Sequence, residues 1–185
     1  MQYQRSLDIE RRLEAILRES SEILQCSENR IVAVHKLGFV VANAAIDVSN
    51  VDQTYNSERV LLLPEDPDRS AAEIREQIGE RCGVKPGVVI NDSFGRAWRR
   101  GTIGTAIGAA GVPSLQDMRG RPDLFDRKLV STEVATADQL ASAASILQNQ
   151  AGEGIPVILV REFRSVSPDY PAKRLIRSAD QDLFR

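Results

Sequence analysis

Residues 87–99, GVVINDSFGRAWR, carry the pattern that decides the fold. The apolar residues 87–90 predict a strand, and an acid and a hydroxyl, Asp92 and Ser93, follow at once. In α/β proteins, ligand-binding groups usually lie where strands end. Asp92 and Ser93 offer oxygen ligands that suit a hard cation such as Mg²⁺ or Mn²⁺. A plain Asp-Ser turn after a strand explains the same residues without any ligand.

Basic residues follow this acid directly. Arg96, Arg99 and Arg100 could hold phosphate or carboxylate groups, because the planar guanidinium fork matches those anions. Trp98, the only tryptophan, could stack on a ring of the ligand, but we expect it to anchor the loop by packing. A solvated basic loop is the alternative for the whole segment.

A second apolar segment also ends in an acid. Residues 38–51 run from a glycine through apolar residues to Asp47 and Asn50. If the two segment ends meet, Asp47 and Asp92 form a carboxylate pair. Two converging carboxylates bind Mg²⁺-like ions well when phosphates complete the shell. The alternative is an Asx turn formed by Asp47 and Asn50.

A third segment combines a helix end, a glycine-bearing loop and an apolar run. It covers residues 148–160, with Gly152 and Gly154 in the loop. Glycines allow backbone N–H groups to approach phosphates closely, and Gln150 and Glu153 add oxygen ligands. A helix that ends at Gly152 or Gly154 explains the loop equally well.

Periodicity and capping signals predict the remaining elements. Four helices are expected at residues 7–24, from Asp66-Pro67 to residue 82, at 137–148 and at 174–176. The predicted strands cover residues 31–34, 39–42, 60–63, 88–91, 105–110, 130–134 and 155–160. The acidic residues 65–68 are interpreted as a helix start, not a metal site. We expect His35, the sole histidine, at the surface without a catalytic role. These elements predict an α/β (α+β) protein with a mixed sheet and flanking helices, as a single domain over residues 1–185.

Composition excludes several classes of protein. The chain has 185 residues and a formal net charge of -2, which does not favour bulk attraction to nucleic acid or membrane. We expect neither a signal peptide nor a membrane span. Two isolated cysteines, Cys26 and Cys82, are typical of a reducing cytoplasm, where we expect the protein.

Seven segments in fixed order resemble the coenzyme F420-0:L-glutamate ligase (gamma-glutamyl ligase) family over nearly the whole chain. They are residues 42–51, 61–68, 91–99, 106–111, 119–125, 153–157 and 180–185. Ordered motifs make this resemblance far more specific than any one glycine loop.

The resemblance implies a reaction and a set of ligands. It implies a ligase that uses GTP to join L-glutamate, through a γ-linked amide, to a deazaflavin precursor. Mn²⁺ or Mg²⁺ is implied as the divalent metal, and K⁺ is a further candidate. Asp47 and Asp92 would hold one metal and act as the catalytic residues, while Ser93 and Gln150 would hold a second. The nucleotide would be contacted by Asn50 and by the loop Gln148, Asn149, Gln150, Ala151, Gly152, Glu153, Gly154 and Ile155.

The resemblance also implies assembly, and the sequence departs from the family at some points. Members form homodimers with two intertwined parts, and they carry an additional N-terminal section that supplies nucleotide contacts and that we do not find here. Gly104 and Gly152 stand where acids are common, and Ala97 stands where proline is common. Two alternatives therefore stay open: a ligase for a different carboxylate acceptor, and a non-catalytic binding subunit that needs a separate N-terminal partner.

Overall fold

The structure, a computed structural model, describes residues 2–28, 30–52, 59–165 and 167–182, with side chains from residue 9 onward. The chain divides into two compact units. The first comprises Met1–Glu65 and Phe94–Gly101, and the second comprises Asp66–Ser93 and Thr102–Arg185. Each unit is described by itself.

The first unit contains a helix and a three-stranded antiparallel sheet. Helix α1 (Gln2–Glu19) leads into β1 (Ser20–Ser27), β2 (Arg30–His35) and β3 (Val40–Ala42), in the spatial order β1-β2-β3. The predicted strand pair at 31–34 and 39–42 is confirmed, with Ala33 opposite Val41. A buried cluster is formed by Ile16 of α1 together with Ala44 and Ile46.

The predicted helix over residues 7–24 is wrong in its last turns, because the chain becomes a strand at Ser20. The Ser20 hydroxyl donates to the carbonyl of Ile16 at 2.6 Å, and Ser20 pairs with His35 across the sheet. Serine side chains compete for backbone groups in this way and weaken helices. Ile23 and Leu24 continue the helical spacing of α1, so the apolar pattern alone could not locate this boundary.

His35 is buried, not at the surface as expected. Its side chain is 3% exposed, and its Nδ1 accepts a hydrogen bond from the Leu37 N–H at 3.0 Å. Among the described residues its Nε2 has no hydrogen-bond partner, and it lies 3.6 Å from a carboxylate oxygen of Glu19. Burial lowers the pKa of His35, with Glu19 acting in the opposite direction and Lys36 adding to the effect of burial. The imidazole therefore anchors the β2–β3 turn as a neutral group.

The predicted strand at residues 60–63 is wrong. Leu61 forms only an isolated bridge with Asp47, through two backbone hydrogen bonds of 2.8 and 3.1 Å.

The second unit begins with the helix that the capping signals predict. Helix α2 (Pro67–Cys82) starts after Asp66, whose side chain accepts from the Arg69 N–H at 3.0 Å, and it ends at Gly83 in the left-handed region at φ 72°. The acidic residues 65–68 are thus a helix start, as predicted. Strands β4 (Val88–Arg96) and β5 (Arg99–Ala110) follow, and their residues 94–101 belong to the first unit. The second unit also contains α3 (Thr136–Gln148) and the short strands β6 (Gln116–Asp117) and β7 (Glu133–Val134).

Helices and strands confirm the α+β class, but the described strands form three small sheets instead of one mixed sheet. These are β1-β2-β3, β4-β5 and β6-β7, and the pairs β1-β2, β2-β3 and β6-β7 are antiparallel. Of the predicted strand at 130–134, only Glu133–Val134 is a strand. Residues 155–160 belong to no strand in the described part of the chain, although Val157 and Leu159 are apolar and exposed. The predicted closing helix at 174–176 is a 3-10 turn, Ala172–Leu175.

Helix α3 packs closely on β5 at Gly104. The hydroxyl of Ser142 donates to the Gly104 carbonyl at 2.8 Å, and the Gly104 N–H donates to the hydroxyl of Ser145 at 3.3 Å. A Cβ atom at residue 104 would lie 2.4 Å from the carbonyl oxygen of Ala141. This position therefore requires glycine.

Two half-buried carboxylates, Asp138 and Asp68, continue these contacts along β5. The Ala106 N–H donates to Asp138 at 2.9 Å, and the Ala109 N–H donates to Asp68 at 2.8 Å. Asp68 also accepts from the Ala172 N–H at 2.6 Å. Side chains from both helices thus satisfy backbone donors of the strand. Within the described residues, no helix is long and apolar enough to cross a membrane.

Candidate functional site

Asp92 and Ser93 lie inside β4, not at its end as the sequence predicted, because the strand continues to Arg96. One face of this strand is turned to α3: Val89 packs on the cluster of Ala137 and Ala141, and Asn91 hydrogen-bonds to Gln148. Side chains alternate along a strand, so Ser93 shares this face and Asp92 points to the other. The strand thus presents an acid and a hydroxyl on opposite faces.

The local contacts of Asp92 orient its carboxylate. Asp92 is half-buried, and its Oδ1 accepts from the backbone N–H of Ser93 at 2.7 Å. Phe94, on the same face by alternation, is buried edge-to-face against Phe39, with 5.4 Å between the ring centroids.

Asp47 forms the Asx turn that the sequence offered as an alternative. Its Oδ1 accepts from the Ser49 N–H at 2.7 Å, and Asn50 follows in the left-handed region at φ 54°. Asp47 is exposed and lies in the first unit, while Asp92 belongs to the second. The carboxylate pair of Asp47 and Asp92 stays a prediction.

The loop after α3 begins at Asn149, which is the C-cap of the helix. The Asn149 N–H donates to the Ser145 carbonyl at 3.0 Å, so the predicted caps at Gly152 and Gly154 are wrong. Residues 149–155 are all exposed, and Gly154 adopts φ 68°. Within the loop the Ala151 N–H donates to the Glu153 carboxylate at 2.9 Å. The loop is exposed to solvent, so that backbone N–H groups not already hydrogen-bonded could meet an anion.

The tip of the β4–β5 hairpin, residues 96–100, is also exposed to solvent. Trp98 is 88% exposed at φ 62° in the β4–β5 turn, so the expectation that it packs is wrong. Arg96, Arg99 and Arg100 are exposed, and Arg96 donates to the Arg100 carbonyl at 3.4 Å.

A second basic segment, residues 119–121, contacts acidic side chains through Arg119. Arg119 bonds Asp117 through two side-chain contacts of 2.5 and 2.8 Å and lies 3.6 Å from Glu133. Hydrogen bonds from Arg119 lower the pKa of Asp117 to about 2. Arg119 therefore stabilises the turn in which it lies. It is a weaker candidate for binding an anion than Arg96, Arg99 and Arg100.

The donor set fits a hard divalent cation with few protein ligands. Among the residues that the structure describes, no group of three or more His, Cys, Asp or Glu side chains could hold a metal ion. The predicted ligands form two sets: Asp47 and Asp92 would supply two carboxylates to one ion, and Ser93 and Gln150 would supply a hydroxyl and an amide oxygen to a second. Mg²⁺ is commonly held by one or two carboxylates, with water and substrate phosphates completing the shell. The chemistry of these residues suits that kind of site better than an all-protein cage.

Sequence reasoning missed the contact between Asn91 and Gln148, whose side-chain amides lie 3.0 Å apart. It joins β4 to the start of the loop within the second unit. The two residues are far apart in the sequence, and neither shows a periodicity that would pair them. The only sequence signal is their position, since Asn91 precedes Asp92 and Gln148 precedes the glycine-bearing loop.

Comparison with known proteins places these residues in a family. A sequence profile described as F420-0:Gamma-glutamyl ligase matches residues 2–162. A coenzyme F420:L-glutamate ligase from Methanococcus maripaludis is 44% identical over 173 residues, which cover 94% of this chain and 68% of the relative. Relatives of the same name from Methanocaldococcus jannaschii (41% over 173 residues) and Methanopyrus kandleri (44% over 180 residues) each match 94% of the chain, and 68% and 69% of their own lengths. The match therefore spans β4, β5, α3 and the loop that follows, and this chain belongs to the F420-0:gamma-glutamyl ligase family.

Proposed function

We propose that the chain is a GTP- and divalent-metal-dependent ligase that joins L-glutamate, through a γ-linked amide, to the deazaflavin precursor of coenzyme F420. The observation that carries this proposal is the family match across 94% of the chain to relatives named coenzyme F420:L-glutamate ligase. The geometry of the second unit supports it, because an acid, a hydroxyl and an open glycine-bearing loop are grouped around β4 and the end of α3.

The chemistry requires an activated carboxylate. A carboxylate is a poor electrophile, so transfer of the γ-phosphoryl group of GTP to the precursor gives an acyl phosphate and GDP. The amino group of glutamate then attacks the acyl carbon, an amide forms, and phosphate leaves. The protein's part in such a reaction is mainly to position the partners and to stabilise negative charge.

The proposed metal ligands follow the faces of β4. Asp92, with Asp47, would hold one ion, and Ser93, with Gln150, would hold the other. A bound Mn²⁺ or Mg²⁺ would supply charge stabilisation at the phosphates. The alternation of Asp92 and Ser93 on β4 supports this division, because the hydroxyl shares the face that carries the α3 contact and the acid does not. Backbone N–H groups of the exposed residues 149–155, apart from those of Asn149 and Ala151, would contact the GTP phosphates, and Asn50 would contact the nucleotide.

We propose a cytoplasmic homodimer on the same basis. Ile9, Leu13 and Leu17 form an exposed apolar stripe on α1, spaced four residues apart, which supports burial against another surface. Cys26 and Cys82 are free and exposed, as is typical of a reducing compartment.

One observation favours a different carboxylate acceptor as a second candidate. The resemblance implies an acid at the position of Gly104, whereas in this structure α3 leaves no room there even for a Cβ atom. If an acid at this position normally contributes to acceptor binding, this chain lacks that contribution.

The test is glutamylation by the purified chain with GTP, Mn²⁺, L-glutamate and the deazaflavin precursor, followed by mass spectrometry. Wild-type protein should add glutamate and release GDP, and Asp92→Asn should lower the rate at least about 100-fold, as loss of one transition-state charge contact does. Asp169→Asn is the matched control, since Asp169 is exposed and lies outside β4 and the loop. Turnover of GTP with another carboxylate, and none with the deazaflavin, would favour the second candidate. A folded wild-type chain that turns over no GTP would support a binding subunit instead.

A further inference from the structure

Two side-chain amides connect β4 to the loop after α3. Asn91 Nδ2 donates to Gln148 Oε1 at 3.0 Å, and Gln148 Nε2 donates to Asn91 Oδ1 at 3.5 Å. Gln148 Nε2 also donates to the carbonyl of Pro156 at 3.4 Å. The single side chain of Gln148 thus joins the strand, the beginning of the loop and its end.

The next residue holds an unfavourable backbone conformation. Asn149 has φ 60° and ψ -168°, a region that is nearly exclusive to glycine. Such a conformation persists only where its surroundings fix it. On one side the Asn149 N–H donates to the Ser145 carbonyl at 3.0 Å, and on the other side Gln148 is held by Asn91.

The loop itself is exposed: residues 149–155 are open to solvent, and a Cβ atom added at Gly152 or Gly154 would meet no described atom within 4 Å. The hydrogen bond from the Ala151 N–H to the Glu153 carboxylate lies within the loop and does not attach it to β4. The contacts of Gln148 with Asn91 and with Pro156 attach the two ends of the loop, so we expect them to influence its conformation.

We propose that Asn91 is a positioning residue, which forms with Gln148 an amide clamp that fixes the conformation of residues 149–155. The clamp sets where Gln150 lies relative to β4, because Gln150 is two residues beyond Gln148 and Ser93 is two residues beyond Asn91. Its effect on nucleotide binding rests on the proposed function, whereas its effect on the loop does not. Gln148 then acts by holding the loop, not by contacting GTP itself.

The first test is amide hydrogen exchange, measured by NMR at Asn149 and Ala151. Asn91→Leu and Gln148→Met keep side-chain size and remove the amides. Loss of one hydrogen bond corresponds to an exchange rate about tenfold higher at these two amides. The double variant should exchange no faster than the faster single variant, because both changes remove one contact. Gln139→Met is the control, since Gln139 is exposed near the other end of α3. Unchanged exchange in Gln148→Met, which lies at a helix end and should fold, would overturn the clamp.

The second test is steady-state kinetics with GTP and Mn²⁺. Both clamp variants should raise KM for GTP about tenfold and change kcat less, because the reacting groups remain in place. Faster exchange together with an unchanged KM would overturn the positioning role. If the wild-type chain shows no GTP turnover, the proposed function fails, and the exchange measurement still decides whether the clamp exists.

Discussion

Gly104→Ala tests the packing that holds α3 on β5. The new Cβ atom would lie 2.4 Å from the Ala141 carbonyl oxygen, 2.8 Å from its carbon and 2.8 Å from the Cβ of Ser145. Two of these atoms are backbone, so relief requires α3 to move. Overpacking costs about 1–3 kcal/mol. A shift of the helix also weakens the hydrogen bonds of Gly104 with Ser142 and Ser145, at about 1 kcal/mol each.

We therefore expect Gly104→Ala to lower the free energy of unfolding by about 3–5 kcal/mol. Urea unfolding followed by circular dichroism measures it. Gly95→Ala is the matched control: it lies in β4, a Cβ atom there would meet nothing within 4 Å, and it should change stability by less than about 1 kcal/mol. A Gly104→Ala protein as stable as Gly95→Ala would show that α3 does not pack on β5 in this way.

Three further predictions concern charge and pH. Burial raises the pKa of Asp138, against the hydrogen bond from Ala106, so the folded state binds this proton more tightly than the unfolded state. Stability should therefore fall as pH rises from 3.8 through the raised pKa, and Asp138→Asn, which keeps an acceptor oxygen, should flatten this slope in urea titrations across pH. Burial lowers the pKa of His35 in the folded state below its ordinary value of 6.5. The contribution of His35 to the free energy of unfolding should therefore be complete above pH 6.5 and decrease as the pH drops through the folded pKa. A His35→Gln protein whose stability depends on pH as the wild type's does would contradict this. Arg119 lowers the pKa of Asp117 to about 2, so NMR titration of Arg119→Gln should show that pKa return toward 3.8, and an Asp117 that still titrates near 2 would refute the pairing.

Local signals in the sequence predicted correctly those boundaries that depend only on neighbouring residues. Asp66-Pro67 and Gly83 bound α2 correctly because caps depend on neighbouring residues alone. The pattern failed at Ser20, where sheet pairing with His35 replaces a helix that the apolar spacing continues. It failed again at residues 155–160, because apolar β-branched residues favour a strand only when a partner strand is available.

In the candidate site, too, the sequence indicated the residues but not the contacts between residues distant in the chain. Asp92, Ser93 and the loop after α3 were identified as candidates from residue type and order, and the structure gives each a defined local geometry. The orientation of Asp92 and Ser93 on opposite faces followed only from the length of β4. The burial of His35 and the contact of Asn91 with Gln148 depend on residues distant in sequence, so no local pattern could indicate them.

The most direct test of the central claim is calorimetric titration of GTP into the chain, with and without Mn²⁺, for wild type and Asp92→Asn. We predict GTP binding that requires Mn²⁺ in the wild type and is lost in a folded Asp92→Asn protein. Equal binding with and without Mn²⁺, or unchanged binding in Asp92→Asn, would contradict the assignment of a metal-dependent nucleotide site to β4 and the loop after α3.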